Sequence, residues 1–464
     1  MQLEGGEGFV ILGVIISIIV TIWVGYLITK KYKPQPVLFM AGMILMACTV
    51  ALGVGTILPE KERTGLVLFD MFEFIRKTFS SRAAGLGLNI MAVGGFARYM
   101  DHIGASKVLV KIAIKPLQRL HAPYVVLAAS WVVGMLLGLF INSASGLAML
   151  LMVTMFPILV NLGVSRVSAC AAISTTLCMD WSPGDTGSIL SATTAGLDIT
   201  TYWTQYQVPV SLAVMVVVAI LHYFTQQWFD KRDGHVVTKN VAEKVADENL
   251  PPTFYALLPT LPLFLILAFS NLWIAWIKMD IIKAMFIGLF FAMICEFLRS
   301  RDGKKTLSDI QPFFDGLGVQ MANVITLIVA GETFAKGLQT IGTIDAIINA
   351  AQSSGFGGAG MILVMVSIIA VSSVVMGSGN APFFAFAALT PTVAAKMGLA
   401  PVLMLMPMHF AASIARSVSP ITAVIVVTSN LGGISPFDLV KRTAIPMIGA
   451  MITMVSASFI LFYR

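Results

Sequence analysis

Charge is what this sequence has least of. Only 11% of its 464 residues are Asp, Glu, Lys or Arg, against 57% that are hydrophobic. A soluble chain carries nearer a quarter charged residues. A surface so poor in charge faces lipid, which excludes a string of soluble domains and implies one integral membrane body. Cysteine is also scarce. Cys48, Cys170, Cys178 and Cys295 all lie inside apolar runs, so packing is expected of them, not a disulfide framework or a metal site. There is no Gly-rich nucleotide loop, no zinc spacing and no nucleophile–base pair. Neither an ATP-driven pump nor an enzyme is expected, and no cofactor. A cleavable signal is not evident either. The first apolar run, 9–27, is followed by Lys30, Lys31 and Lys33, whereas a secretory signal carries its charges before the run. The net charge of +7 sits in short loops between apolar runs, as topology signals do, and not on a nucleic-acid surface.

What is present in excess is long apolar runs, and a helix needs about 20 such residues to cross the hydrocarbon core. Spans are predicted over 8–28, 36–58, 85–103, 166–192, 205–225, 253–276, 280–298, 314–337, 400–430 and 442–462. Two further runs, 122–162 and 356–397, are too long for one helix. Each is interrupted by small polar residues, Asn142-Ser143-Ala144-Ser145-Gly146 and Gly377-Ser378-Gly379-Asn380. A non-helical break at membrane depth survives only inside protein or beside a polar cavity. Both runs therefore read as re-entrant helical hairpins. With the N-terminus outside, the inside segments hold 17 Lys and Arg and the outside segments 8, which fits the positive-inside rule. Segment 59–84 is then an external connection and both termini lie outside.

The sequence repeats itself. Phe96-Ala97-Arg98, followed by Ile103-Gly104, recurs in the second half as Phe334-Ala335-Lys336, followed by Ile341-Gly342. At nearly the same spacing the hairpin tip at Ser143 recurs at Ser378, and the pair Ser182-Pro183 recurs as Ser419-Pro420. An odd number of spans per repeat inverts the second against the first. The fold class expected is thus all-α and polytopic, with two inverted five-helix repeats. The N-terminal repeat is 1–225, with hairpin 122–162 and broken helix 166–192. A cytoplasmic linker covers 226–252. The C-terminal repeat is 253–464, with hairpin 356–397 and broken helix 400–430. Inverted repeats with discontinuous helices near the midplane are a secondary-transporter design.

The tips and breaks supply the candidate site. Asn142, Ser143, Ser145, Ser378 and Asn380 offer side-chain oxygens or amides beside backbone groups that a helix end leaves unpaired; close helix packing on small residues is the alternative. The breaks at Ser182-Pro183 and Ser419-Pro420 free carbonyls next to Thr186 and Thr422; a plain proline kink is the alternative. Arg416 can grip a carboxylate with two parallel N–H bonds. Asp180 and Asp185 flank the first break, and a structural Arg–Asp pair across the repeats is the competing reading of all three. Substrate binding is assigned to Asn142, Ser143, Ser145, Thr186, Ser378, Asn380, Arg416 and Thr422. Coupling to Na+ or H+ is assigned to Ser143, Ser182, Asp185, Ser378 and Ser419. Snorkelling to the interface accounts for Arg98 and Lys336; Glu332 lies deeper. His409, two turns from Arg416, reads as a packed helix contact. The alternatives to an anion carrier are a cation/proton antiporter built on Asp180 and Asp185, or a passive anion channel.

The tip Met376-Gly-Ser-Gly-Asn-Ala-Pro-Phe383, the runs Met406-Pro-Met-His409 and Ala415-Arg-Ser-Val-Ser-Pro-Ile-Thr422, and Val440-Lys-Arg-Thr443 resemble the DcuC/DcuD family of anaerobic C4-dicarboxylate carriers. The similarity extends through Ala92–Met100 and Ser143–Gly146, and is closer to the DcuD branch; Cys178–Asp185 departs from the DcuC pattern. The resemblance implies an elevator-type carrier of the ion-transporter superfamily, a homodimer in the bacterial inner membrane. It implies fumarate, succinate, malate or a related dicarboxylate as substrate, moved by ion symport, antiport or exchange, with succinate efflux in anaerobic growth. Only the second half carries an arginine like Arg416, so that half is expected to grip the carboxylate and the first to do more of the coupling.

Overall fold

The computed structural model describes residues 4–235, 250–270, 273–274, 276–353 and 357–463. Most of the linker expected over 226–252, with Lys239 and Lys244, lies outside the described residues, as does Arg464. Every regular element among them is helical. Backbone polar groups in lipid have to be satisfied within the segment itself, which a helix does. Among the described residues, seven helices are long and apolar enough to cross a membrane.

Helix is interrupted at four places. Pro123–Leu137 gives way to Ala144–Thr154 and Phe156–Asn161, and Gly358–Met376 to Asn380–Ala387 and Thr390–Lys396. Arg166–Ser174 is separated from Thr186–Thr194, and Val402–Arg416 from Ala423–Gly432. Two sequence expectations change. Segment 59–84 is not merely a connection, because Val67–Arg82 is a helix that runs through a π-helical turn, Ala83–Gly87, into Leu88–His102. Its charges are absorbed by pairing: Thr64 donates its N–H and hydroxyl to the buried Asp70, both at 2.8 Å, and Arg82 meets Glu332 at 2.6 Å. Conversely, the described residues of 253–276 hold only a 3₁₀ turn, Thr253–Leu257, and the short helix Leu261–Ala268. Pro251, Pro252, Pro259 and Pro262 remove the backbone donors a long helix would need there.

The element order recurs. Leu88–His102 and Thr326–Thr340 are both 15 residues long. They stand in the same register as the Phe96-Ala97-Arg98 and Phe334-Ala335-Lys336 motifs they carry. The π-helical turn Ala83–Gly87 is matched in that register by Met321–Ile325. The interrupted helices follow in the same sequence, and each half closes on a long helix, Val208–Arg232 or Pro436–Phe462.

Two groups of helices emerge from the packing. In one, Pro34–Leu52 lies along Thr326–Thr340, and Leu88–His102 along Gln311–Gln320 and Ile281–Ser300. Here backbones touch: a Cβ on Gly316 would stand 2.7 Å from Gly95 Cα, so only glycine permits the approach. In the other group, Val208–Arg232 lies along Pro436–Phe462, and Gly358–Met376 along Val402–Arg416.

A buried ionic clamp ties the halves of the second group. Arg442 donates through Nη1 to Asp230 Oδ1 at 2.6 Å and to Ser168 Oγ at 2.8 Å, and through Nη2 to Asp233 Oδ2 at 2.7 Å. Asp230 also accepts from Tyr124 Oη, Ser165 N–H and the hydroxyls of Ser165 and Ser168. Nearly every polar valence is used, the condition under which buried ions are tolerated. Replacing Arg442 by Met should strand the Asp230 carboxylate. A loss of about 3–5 kcal/mol is expected, read as a large fall in the melting temperature of the detergent-purified variant.

Candidate functional site

The four interruptions converge. The first tip is non-helical through Asn142, and Ser143 caps the next helix by accepting the Gly146 N–H at 3.1 Å. The second tip turns on Gly377, whose φ of 64° lies where side chains are disfavoured, and Asn380 opens the following helix. The first broken helix resumes at Thr186 under a cap from Asp185, which accepts the Ser188 N–H at 3.0 Å.

Between the two helix groups is a cavity of about 400 Å³. Asn142, Ser143, Asp180, Asp185, Thr186, Asn380 and Arg416 line it from the group carrying the interruptions. Arg98, Asp101, Gln320 and Asn323 face them from Leu88–His102 and the helix that continues through Met321–Ile325. A second cavity of about 360 Å³ also reaches Asp101 and is walled by Lys107, Glu296, Arg299 and Lys305.

The charged centre is tightly wired. Arg416 Nη2 donates to Asp180 Oδ1 at 2.8 Å and to the Leu177 carbonyl at 3.2 Å. The second Asp180 oxygen accepts the Ser413 hydroxyl at 2.8 Å. His409 Nε2 stands 3.1 Å from Asp185 Oδ2, and the ring is buried between the helices. It lies so close to Gly187 that a Cβ there would collide with the ring at Nε2. Ligand atoms of Asp180, Asp185 and His409 fall within 4.8 Å of one another, close enough to surround a cation. Each is already engaged by a neighbour, however. Asn142 borders the cavity, and its buried Oδ1 has no hydrogen-bond partner among the described residues, an unsatisfied acceptor at the site.

Of the residues assigned from the sequence to substrate or ion binding, six meet at the cavity, Asn142, Ser143, Asp185, Thr186, Asn380 and Arg416, and Asp180, singled out beside the first break, joins them. Five do not border it. Ser182 donates to the Leu139 carbonyl at 2.8 Å and lines a small neighbouring pocket. Thr422 donates to the Arg416 carbonyl at 2.7 Å, closing the end of that helix. Ser419 is buried with its hydroxyl unpartnered. Ser145 and Ser378 are half-buried beside their tips. Glu332 is the partner of Arg82. The pair Arg416–Asp180, the competing reading of that arginine, is formed. His409 is packed, as expected, against Phe383 and Phe410, but it also reaches Asp185. Sequence reasoning missed the opposite wall. Arg98, set aside as a snorkelling residue, faces the cavity; Asp101, Gln320 and Asn323 were not singled out. Gln320 and Asn323 were findable as two amides inside a mostly apolar span.

The chain matches the profile of the DcuC family, C4-dicarboxylate anaerobic carrier, over residues 12–463. The chain belongs to this family. A probable anaerobic C4-dicarboxylate transporter DcuC of Vibrio cholerae is 36% identical over 97% of this chain and 98% of its own length. The anaerobic C4-dicarboxylate transporter DcuC of Escherichia coli K12 is 34% identical, over 96% and 95%. Both relatives are transporters by name, in keeping with a DcuC-family chain that is not an enzyme. The YdaH transporter of Alcanivorax borkumensis shares the fold with a TM-score of 0.63 at 14% identity, covering 93% of this chain and 99% of that one. This DcuC-family chain is therefore a multi-pass membrane transporter.

In its charged centre the Nε2 edge of the His409 ring lies against Gly187. Gly187→Ala overpacks that contact, at about 1–3 kcal/mol. The variant should stay folded by size-exclusion chromatography yet lose at least roughly tenfold in transport rate, measured in proteoliposomes against the unaltered protein.

Proposed function

We propose that this chain is a secondary active carrier of C4-dicarboxylates in the bacterial inner membrane, with both termini outside. The single observation that carries the reading is the cavity between the two helix groups, where both tips, both broken helices and Arg416 come together. A dicarboxylate presents two carboxylates a few ångströms apart. Arg416 suits one of them by charge and geometry, while Asn142, Ser143, Thr186 and Asn380 supply donors and acceptors around the other.

The two helix groups act as a scaffold and a carrier unit in an elevator cycle, with the halves related as inverted repeats. The clamp at Arg442 supports this, because it makes the second group a body that can move as one. The second cavity supports an inward-open state: it continues from Asp101 toward Lys107, Arg299 and Lys305, on the side that the loop charges assign to the cytoplasm. Transport is coupled to an ion, Na+ or H+, near Asp185, and the carrier works as a homodimer. Substrate efflux in anaerobic growth suits the family's name.

The test is counterflow of labelled succinate in proteoliposomes, with fumarate, malate, aspartate and citrate as competitors, with and without sodium. Arg416→Ala should lower succinate counterflow by at least roughly a hundredfold, from loss of a buried charge-assisted contact, while the protein remains monodisperse. Normal succinate transport by that variant sinks the assignment of Arg416. A sodium-dependent proton flux with no organic anion present favours a cation/proton antiporter instead.

A further inference from the structure

The guanidinium of Arg416 is not free to receive a carboxylate. It has five N–H bonds, and a two-pronged grip uses either Nε with Nη2 or Nη1 with Nη2. Both edges include Nη2. In this structure both Nη2 hydrogens are spent, one on Asp180 Oδ1 at 2.8 Å and one on the Leu177 carbonyl at 3.2 Å. Nε and Nη1 make no hydrogen bond among the described residues. A substrate carboxylate can therefore obtain the two-pronged grip only by displacing one of the two acceptors. The Leu177 carbonyl is main chain, buried among helices. Asp180 is a side chain with two torsions, and it ends at the cavity wall.

Charge leads to the same place. The cavity lining carries two fixed positive groups, Arg98 and Arg416, and three carboxylates, Asp101, Asp180 and Asp185, a formal −1. A dianion added to that takes it to −3 in a site of low dielectric, where like charges repel strongly. The strongest of these repulsions falls on the protein carboxylate that shares Arg416 with the substrate, Asp180.

We infer that Asp180 is a built-in stand-in for the substrate's carboxylate: the incoming dianion replaces it on Arg416. The inference rests on the carrier reading given above. The exchange breaks one N–H···O bond at Asp180 Oδ1 and forms two at the substrate carboxylate, through Nη2 and through Nε or Nη1. The Ser413 hydroxyl, 2.8 Å from Asp180 Oδ2, can keep its hold on the displaced carboxylate. The titratable and charged groups around Asp180 are Cys178 on its own segment, Asp185 across the break, His409 and Arg416 on Val402–Arg416, and Arg98 and Asp101 across the cavity. The tips bring only the neutral Asn142, Ser143 and Asn380. Competition by Asp180 also selects for strength: a ligand with one weakly charged end cannot take Nη2, whereas a full carboxylate can.

The experiment uses the full-length protein and succinate. Asp180→Asn removes the competitor, so half-saturation in succinate counterflow should fall roughly tenfold at neutral pH, the scale of a buried charge pair. Ser413→Ala, which weakens the hold on Asp180, should shift half-saturation the same way by a smaller factor; it carries the test if Asp180→Asn does not fold. Unchanged or raised half-saturation in these variants overturns the inference. Absence of succinate counterflow in the unaltered protein instead overturns the carrier reading itself.

Discussion

The pair Arg416–Asp180 joins the two halves of the chain at the point where both have stopped being helical. Neither charge could sit there alone, because an isolated ion at such depth is far costlier than a paired one. The pair therefore fixes where the first break must lie relative to the second. Asp180 lies midway along the non-helical stretch between Arg166–Ser174 and Thr186–Thr194, and Arg416 ends the helix Val402–Arg416. Ser413, one turn earlier, and the Leu177 carbonyl complete the coordination of the two charges. Asp185 and His409 form a second, parallel contact between the same two segments. The interruptions, the cavity and the polar lining all follow from keeping these groups solvated by protein.

Much of this was legible in the residues. Asn142-Ser143 and Ser378-Gly379-Asn380 betray themselves as small polar residues inside runs too long for one helix, and Ser182-Pro183 and Ser419-Pro420 as prolines inside apolar spans. Phe96-Ala97-Arg98 and Phe334-Ala335-Lys336 mark matching positions on two helices of equal length. These signals are local: each is a residue type at odds with its immediate surroundings. What was not legible depends on tertiary partners. Val67–Arg82 looked like a connection because Asp70, Glu73, Arg76 and Arg82 are charged, and only Thr64 and Glu332 reveal how that charge is housed. The span 253–276 looked helical by hydropathy, which does not register missing N–H donors.

The site was half legible for the same reason. Six of the residues proposed from sequence share the cavity because the interruptions that flagged them are what opens it. Ser182, Ser419 and Thr422 carry the right chemistry but spend it on their own breaks, as hydroxyls next to freed carbonyls commonly do. Arg98 and Asp101 sit near the end of an unbroken helix, where nothing in the local sequence separates a cavity-facing side chain from an interfacial one, while Gln320 and Asn323 stand out only as amides in an apolar span.

The paired π-helical turns, Ala83–Gly87 and Met321–Ile325, have a consequence for the seam between the helix groups. A π turn amounts to one residue inserted into a regular helix, and it rotates everything beyond it by about 100°. The rotation decides which face of Leu88–His102 and of Thr326–Thr340 looks across the seam. Each insertion stands at the same step before a helix of equal length, so both helices are turned through the same angle. Loss of one residue from either turn would swing the side chains of one helix off the seam and leave the other in place.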